Sequence, residues 1–214
     1  MAVSDPTLDV ESDLLRTGAR FVIGCDEVGR GALAGPVAVG FAAVNSAVLP
    51  MPPGLRDSKM LSESRREQLA PLARAWAAYS AVGLASAAEV DDLGIIACLG
   101  LAGKRALAEL YAQGVDVAGS IVLLDGNDDW LNKALVTPLN VVTRIKADRD
   151  CASVAAASVI AKVHRDRLMI AAHSEAPGYG WASNKGYGSA AHMQAIELLG
   201  SSPLHRKSWL KISA

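Results

Sequence analysis

Short runs of apolar residues alternate along the chain with longer segments in which apolar residues recur every three or four positions. The short runs predict five β-strands, at residues 21–26, 37–44, 76–84, 120–124 and 141–145. The longer segments predict helices at residues 8–18, 62–75, 87–93, 95–113, 152–172 and 189–199. Because strands and helices are interleaved, we predict an α/β fold in which helices flank a mixed central sheet.

Capping residues delimit several of these helices. Ser62 and Ser189 stand at predicted helix starts, and Gly200 follows a predicted helix end. The chain contains neither an internal repeat nor a low-complexity linker. We therefore predict a tail and short helix over residues 1–19, followed by one domain over residues 20–214. A helical C-terminal extension is expected to cover about residues 174–214 of that domain.

Composition limits the classes of protein that fit. Hydrophobic residues make up 51% of the 214 residues and aromatic residues 5%, so we expect a largely aliphatic core. The formal net charge is −1, whereas nucleic-acid-binding domains are usually basic, so a nucleic-acid partner would require local clusters of Lys and Arg. The three cysteines are far apart, which excludes a disulfide framework and a thiolate zinc site and favours a cytoplasmic protein. We expect neither a secretion signal nor a membrane-spanning helix.

The first predicted strand ends in two adjacent carboxylates, Asp26 and Glu27, and then passes into a glycine-rich loop. A buried carboxylate is unfavourable unless a cation, a hydrogen-bond donor or a proton compensates its charge. Glycines at positions 29, 31 and 35 allow the backbone to approach another molecule closely. Carboxylates that can hold a metal, beside such a loop, favour phosphodiester chemistry, although an exposed strand end with two solvated acids is the simpler alternative.

Other chemistries fit this loop less well. A dinucleotide-binding fingerprint requires a glycine where Ala34 stands, and Pro36 would lie inside the helix that such a loop opens. No Gly-Lys-Ser/Thr follows, so a P-loop is excluded. The chain also lacks a Gly-x-Ser-x-Gly turn at a strand end and a paired-histidine spacing, which argues against a serine hydrolase and a histidine metal site.

A third carboxylate repeats the first pattern. Asp125 ends the apolar run 120–124 just as Asp26 ends the first run. If the two strands are neighbours, both acids leave the sheet at the same edge, where ligand sites of open α/β sheets lie.

The predicted helix 152–172 adds a fourth acid. Ser158, Lys162 and Asp166 are spaced four residues apart and therefore share one helix face. A surface acid paired with a neighbouring arginine is the simpler alternative for Asp166. Together with the earlier acids it completes an oxygen-ligand set that suits Mg²⁺ or Mn²⁺ better than Zn²⁺. Two such ions could activate a water and stabilise a leaving oxygen. The expected ligands are Asp26, Glu27, Asp125 and Asp166.

Six segments, in order along the chain, closely resemble ribonuclease HII, the bacterial type 2 ribonuclease H. They are residues 26–31 (DEVGRG), 57–59 (DSK), 125–127 (DGN), 156–167 (AASVIAKVHRDR), 184–188 (NKGYG) and 203–209 (PLHRKSW). The resemblance extends from about residue 20 to residue 209. It implies a ribonuclease H-like fold with a helical C-terminal extension. It also implies two-metal hydrolysis of the RNA strand of RNA–DNA hybrids and incision 5′ to single ribonucleotides in duplex DNA, with 5′-phosphate products.

The resemblance assigns roles residue by residue. The metal-binding and catalytic carboxylates would be Asp26, Glu27, Asp125 and Asp166. Gly29, Arg30 and Gly31 would read the ribose 2′-hydroxyl, largely through backbone groups. Tyr187 would stack on the sugar of the following deoxynucleotide and bind the 2′-hydroxyl. Lys59 and Lys185 would contact phosphates.

The chain departs from the family pattern at three places, one of which is the loosely matched segment 128–138. Ala32 stands where proline is common, and Lys146-Ala147-Asp148 replaces a frequent Gly-Asp, so Asp148 has no expected role. Two function classes remain. A metal-dependent endoribonuclease needs all four acids, whereas a non-catalytic nucleic-acid-binding module on the same fold would have lost at least one. Because all four are present, we favour the enzyme, and we expect it to act as a monomer.

Overall fold

The computed structural model describes residues 5–210, so residues 1–4 of the predicted tail and 211–214 of the predicted extension lie outside it. Five strands form one sheet in the order β3-β2-β1-β4-β5. β1 pairs antiparallel with β2 and parallel with β4, while β3 extends the antiparallel half and β5 the parallel half. The strands are β1 Val22–Val28, β2 Val37–Val44, β3 Tyr79–Ala85, β4 Ile121–Asp125 and β5 Asn140–Arg144.

Helices cover both faces of this sheet. α4 packs on β3 and β2 on one face, and α6 packs on β1 and β2 on the other face, with α2 lying against α6. The helices are α1 Asp9–Arg16, α2 Glu63–Trp76, α3 Ala87–Leu93, α4 Ile95–Ala112, α5 Ala147–Asp150, α6 Ala152–Glu175, α7 Trp181–Asn184 and α8 Ala190–Leu199. The predicted mixed sheet flanked by helices is confirmed. No helix in the described part of the chain is long and apolar enough to cross a membrane.

α6 lies unusually close to the sheet because small residues face each other. A Cβ atom built on Gly24 of β1 would lie 2.3 Å from the carbonyl carbon of Ser153. One built on Gly40 of β2 would lie 2.6 Å from the carbonyl oxygen of Ala157. The helix in turn presents buried alanines to the strands. This close packing brings the first half of α6 beside the end of β1.

Serine caps fix the starts of three helices. The Ser62 hydroxyl accepts a hydrogen bond from the N–H of Arg65, and the Ser189 hydroxyl accepts one from His192, as the capping pattern predicts. Ser86 forms a reciprocal capping box with Glu89 at the start of α3.

Several predicted boundaries differ from those observed. β1 continues past residue 26 to Val28, so Glu27 belongs to the strand. Trp76, predicted to open a strand, is the last residue of α2, because its indole packs against the aliphatic core and donates to the carbonyl of Leu49. α6 extends to Glu175. Within residues 128–138, a short 3₁₀ turn at Asn132–Ala134 follows Trp130, which is buried against α4.

The C-terminal helices form a small cluster on the second half of α6. Tyr179 and Trp181 stack with ring centroids 5.0 Å apart, and Ile196 of α8 and Met169 of α6 belong to the same buried cluster. Ala34, from the loop that follows β1, is also a member. The C-terminal region is therefore packed against the glycine-rich loop.

Candidate active site

The parallel pairing of β1 with β4 stops just before two acids. Cys25 is level with Leu124 in their register, so the following residues, Asp26 and Asp125, are neighbours, although β1 itself continues to Val28 beside β2. Asp26 is only 2% exposed. Its Oδ1 atom accepts the N–H of Glu27 at 2.9 Å, whereas Oδ2 is buried and has no hydrogen-bond partner among the described residues. An orphaned carboxylate oxygen of this kind is suited to a bound cation.

Asp148, which has no role expected from the sequence, completes the cluster. One carboxylate oxygen from each of Asp26, Asp125 and Asp148 lies within 4.8 Å of the other two. Asp125 Oδ1 accepts the N–H groups of Ala147 at 2.7 Å and Asp148 at 3.4 Å, which ties α5 to the end of β4. A signal was present in the sequence: Asp148 lies shortly after β5, which is the neighbour of β4 in the parallel half of the sheet.

The structure does not bring Asp166 into this group. Its side chain is buried in an ion pair, with Oδ1 2.8 Å from Lys162 Nζ and Oδ2 3.8 Å from an Arg66 guanidinium nitrogen. Ser158 is the residue of α6 that lies beside the cluster, since its hydroxyl lowers the pKa of Asp26. Asp166 lies eight residues further along the helix, which is about 12 Å at 1.5 Å per residue. Lys162 and Asp166 share one helix face, as their spacing predicts, but that face extends along α6 away from the three clustered carboxylates.

Burial and mutual repulsion control the ionisation of the cluster. Burial raises the pKa of Asp26 well above its usual range, and the charges of Glu27 and Asp125 raise it further. Burial also raises the pKa of Glu27 and of Asp125, and the latter is raised additionally by Asp148. A divalent cation would offset this repulsion, and the all-oxygen donor set is the one that Mg²⁺ and Mn²⁺ prefer.

Lys59 is in direct contact with the cluster. Its Nζ lies 2.9 Å from Asp148 Oδ2 and 3.8 Å from Asp57 Oδ1. Although burial lowers the pKa of Lys59, the hydrogen bond to Asp148 and the charge of Asp26 raise it above its usual value. Lys59 is therefore charged and lies at the site, as a phosphate contact would require.

The carboxylates open into a cavity of about 430 Å³. Most of the residues expected to recognise substrate line the same cavity as the acids. The lining comprises Asp26, Glu27, Val28, Gly29, Arg30, Gly31, Ser58, Lys59, Asp125, Lys162 and Tyr187. Carboxylates, a glycine loop, three cationic side chains and one aromatic ring therefore face one space.

Gly29 and Gly31 have different surroundings. Gly29 has φ +82°, and a Cβ there would lie 2.1 Å from Nε of Arg165, so both the backbone conformation and the packing require glycine. A Cβ on Gly31 would meet nothing within 4 Å. The space above Gly31 is therefore free for a ligand.

Tyr187 and Lys185 are adjacent in sequence but differently placed. The Tyr187 ring lies close to two cations, with its centroid 5.3 Å from Lys162 Nζ and 5.2 Å from Arg165 Cζ. Lys185 is buried, and its ammonium donates to Glu63 Oε2 at 3.2 Å and to the carbonyl of Ala182. Lys185 was expected to contact a phosphate. The structure instead places its ammonium against Glu63 at the start of α2, and Lys185 does not line the cavity.

Similarity to solved structures defines the class of protein. The ribonuclease HII of the PCNA:RNase HII complex from Archaeoglobus fulgidus matches with a TM-score of 0.67 and 27% identity, over 90% of this chain and 95% of that one. Ribonuclease H2 from Pyrococcus horikoshii matches with a TM-score of 0.63 and 24% identity, over 88% and 93% of the two chains. The fold and the carboxylate site together define a nuclease of the ribonuclease H-like class that depends on divalent metal.

Sequence comparison gives the family. The family model described as Ribonuclease HII matches residues 23–212. Ribonuclease HII from Streptomyces griseus is 47% identical over 218 residues, covering 100% of this chain and 88% of that protein. The chain belongs to the ribonuclease HII family.

Proposed function

We propose that the chain is an endoribonuclease that hydrolyses the RNA strand of RNA–DNA hybrids and incises duplex DNA 5′ to a single embedded ribonucleotide, leaving a 5′-phosphate. The observation that carries this proposal is a single cavity lined by the carboxylates of Asp26, Glu27 and Asp125, the open glycine loop and Tyr187. Asp148 clusters with Asp26 and Asp125. Membership of the ribonuclease HII family supports the same reaction.

The metal ligands that we propose are Asp26, Glu27, Asp125 and Asp148. Two bound ions, Mg²⁺ or Mn²⁺, would supply Lewis-acid activation of the attacking water and neutralise charge on the phosphate. The first three residues follow the sequence-based expectation, and Asp148 takes the place expected for Asp166. Asp166 instead holds the ammonium of Lys162 at the edge of the cavity, where Lys162 can meet a substrate phosphate.

Recognition of the substrate is assigned to the other residues that line the cavity. The backbone of Gly29, Arg30 and Gly31 approaches the ribose and hydrogen-bonds its 2′-hydroxyl, because no side chain blocks the space above Gly31. The Tyr187 ring stacks on the next sugar and its hydroxyl contacts the 2′-oxygen, which suits an amphipathic ring. Lys59 contacts a phosphate.

The cellular setting is also part of the proposal. The three cysteines are buried free thiols, which fits a protein that works in the reducing cytoplasm. We propose that the chain acts as a monomer, since a single chain supplies every residue to which the proposed reaction assigns a role.

Cleavage of matched duplexes tests the proposed function. The substrates are a DNA duplex with one ribonucleotide, an RNA–DNA hybrid and an all-DNA control, each with Mg²⁺ or Mn²⁺ and with a chelator. We expect metal-dependent cleavage of the first two and none of the third. A non-catalytic nucleic-acid-binding module would bind the duplexes and cut none of them.

A pair of variants separates the two candidate fourth ligands. Asp148→Asn is expected to reduce cleavage at least about a hundredfold, which is the usual loss when a group that stabilises transition-state charge is removed. Asp166→Asn is expected to lose less than about tenfold, because Asp166 acts through Lys162. A larger loss of cleavage in Asp166→Asn than in Asp148→Asn would identify Asp166, and not Asp148, as the fourth metal ligand.

A further inference from the structure

The glycine loop is held from behind by a buried arginine that comes from the C-terminal segment. Arg206 is 0% exposed. Its guanidinium donates to the carbonyl of Gly29 at 2.7 Å, to that of Arg30 at 2.9 Å and to that of Gly35 at 3.2 Å. Arg206 does not line the active-site cavity. It therefore contacts the loop on the side away from the substrate space.

Planarity of the peptide links these carbonyls to the opposite face of the loop. The carbonyl of one residue and the N–H of the next belong to one rigid trans unit and point in opposite directions. A donor that fixes the carbonyl of Gly29 therefore fixes the N–H of Arg30, and the bond to the Arg30 carbonyl fixes the N–H of Gly31. Neither N–H donates to an acceptor within residues 5–210. Both are available to a ligand in the cavity.

The C-terminal segment is aligned with the loop by backbone pairing. The N–H of Arg206 donates to the carbonyl of Leu33, and the N–H of Gly35 donates to the carbonyl of Leu204, each at 2.8 Å. The guanidinium carbon of Arg206 also lies 4.8 Å from the centroid of the Trp209 ring. These contacts fix the guanidinium in one position.

The charge of Arg206 also strengthens the N–H groups of the loop as hydrogen-bond donors. Arg206 forms no salt bridge within residues 5–210, so its buried charge is compensated mainly by the carbonyl groups that it binds and by the Trp209 ring. Burial and the nearby charge of Arg165 lower the pKa of Arg206 to about 10, which leaves the side chain charged at neutral pH. A charged donor polarises the peptide units that it binds, and a polarised unit has a stronger N–H donor.

We propose that Arg206 is a positioning residue for ribose recognition: it orients and polarises the N–H groups of Arg30 and Gly31 that meet the 2′-oxygen. This inference rests on the proposed function, in which the same loop reads the ribose. It assigns the preference for ribonucleotide over deoxyribonucleotide to a residue that touches neither the substrate nor the metal.

Two substitutions test this role. Arg206→Met keeps much of the stem but has no donor, and Arg206→Lys keeps the charge but cannot form the fork of two bonds. The readout is the ratio of Kd values for an all-DNA duplex and for the same duplex with one ribonucleotide, measured with Ca²⁺. We expect this ratio to fall about tenfold or more in Arg206→Met and by a smaller factor in Arg206→Lys. The rise in melting temperature caused by Mn²⁺ should match that of the wild type in both.

A matched control separates positioning from general loosening of the C-terminal region. Tyr179→Phe removes the hydrogen bond from the tyrosine hydroxyl to the carbonyl of Gly200, in the same region but away from the loop. The role is overturned if Tyr179→Phe lowers the ratio as much as Arg206→Met does. It is also overturned if folded variants of Arg206 keep the ratio within twofold of the wild type.

A measurement on the unaltered protein covers the case in which Arg206 variants do not fold. The backbone amide resonances of Arg30 and Gly31 should shift when the ribonucleotide-containing duplex is added, and shift much less with the all-DNA duplex. Equal shifts with both duplexes contradict the role. If the wild type neither prefers the ribonucleotide nor cleaves beside it, the proposed function itself fails; if it does both and the variants keep the preference, only the role of Arg206 fails.

Discussion

Gly29 and Gly31 illustrate how two identical residues in one loop are required by different forces. At Gly29 the requirement comes from the fold, since φ is +82° and Arg165 fills the space where a side chain would lie. At Gly31 the protein itself leaves the space open. The proposed function assigns that space to the substrate.

Alanine substitutions should therefore separate stability from activity. Gly29→Ala is expected to destabilise the protein by at least about 1–2 kcal/mol from the left-handed backbone alone, and by more because Arg165 must move. Gly31→Ala is expected to leave the free energy of unfolding within about 0.5 kcal/mol of the wild type. It should nevertheless reduce cleavage at least about tenfold. Urea denaturation and cleavage of a single-ribonucleotide duplex measure the two effects; equal destabilisation by both variants would contradict this assignment.

Asp26 shows that a functional group can oppose folding. Its pKa is raised by burial and by the neighbouring acids, so the ionised form is less favourable in the folded chain than in the unfolded chain. Asp26→Asn can keep the bond from the N–H of Glu27 while removing the charge. Without metal, we expect a higher melting temperature than that of the wild type, together with a loss of cleavage of about a hundredfold or more. A lower melting temperature at neutral pH would show that the charge of Asp26 is already compensated.

At the residue scale, the sequence predicts the position of an acid that directly follows an apolar run. It does not predict the position of an acid that is separated from its strand by a turn. Asp26 and Asp125 were found because each directly follows an apolar run, and strand pairing then makes them neighbours. Asp148 was missed because three residues, including the left-handed Lys146, separate it from the end of β5, so spacing alone does not show that α5 folds back onto Asp125. For Lys185, only tertiary packing shows that the ammonium is buried against Glu63.

Among the elements, α6 depends most on contacts that are distant in sequence. Its alanine-rich sequence predicts a helix, but its position comes from Gly24 and Gly40 on the strands beneath it. Its N-terminus is held by α1, where Glu11 Oε1 accepts the N–H of Ser153 at 2.7 Å. Because α5 and Asp148 immediately precede α6, the N-terminal helix contributes to the alignment of the site.

The buried Glu11 provides a test by pH. Burial raises the pKa of Glu11, although bonds from Ser153 lower it. A raised folded-state pKa means that the folded chain binds more protons, so the Glu11 contribution to stability increases as pH falls towards 4.5. Glu11→Gln keeps an acceptor for Ser153 but removes this titration.

We therefore expect the difference in stability between Glu11→Gln and the wild type to depend on pH. The free energy of unfolding of Glu11→Gln, relative to that of the wild type, should be larger at pH 7 than at pH 5. Thermal or urea unfolding at the two pH values measures it. A difference that is independent of pH would mean that Glu11 titrates normally in the folded chain.

For the whole molecule, the local distribution of charge around the cavity matters more than the net charge. The net charge of −1 conceals a cavity in which Arg30, Lys59 and Lys162 surround an acidic centre. Carboxylates that repel one another destabilise the metal-free fold, and an ion that binds only the folded state stabilises it by mass action.

Metal should therefore stabilise the molecule measurably. At a Mn²⁺ concentration of 100 times Kd, one site contributes about 2.7 kcal/mol. For a chain of this length that corresponds to a rise in melting temperature of roughly 5–11 °C. Asp148→Asn should lose most of this rise, and Asp166→Asn should keep it. Equal rises in the wild type and in Asp148→Asn would exclude Asp148 from the ligand set.

The most direct test of the central claim is to locate the metal by anomalous diffraction from crystals of the protein soaked in Mn²⁺. The claim is that Asp26, Asp125 and Asp148 gather at the ends of the parallel strands to hold the catalytic ions. It predicts an anomalous peak within coordination distance of these three carboxylates, about 2.0–2.5 Å from their oxygens. A peak beside Asp166 instead, or none at the ends of β1 and β4, would contradict it.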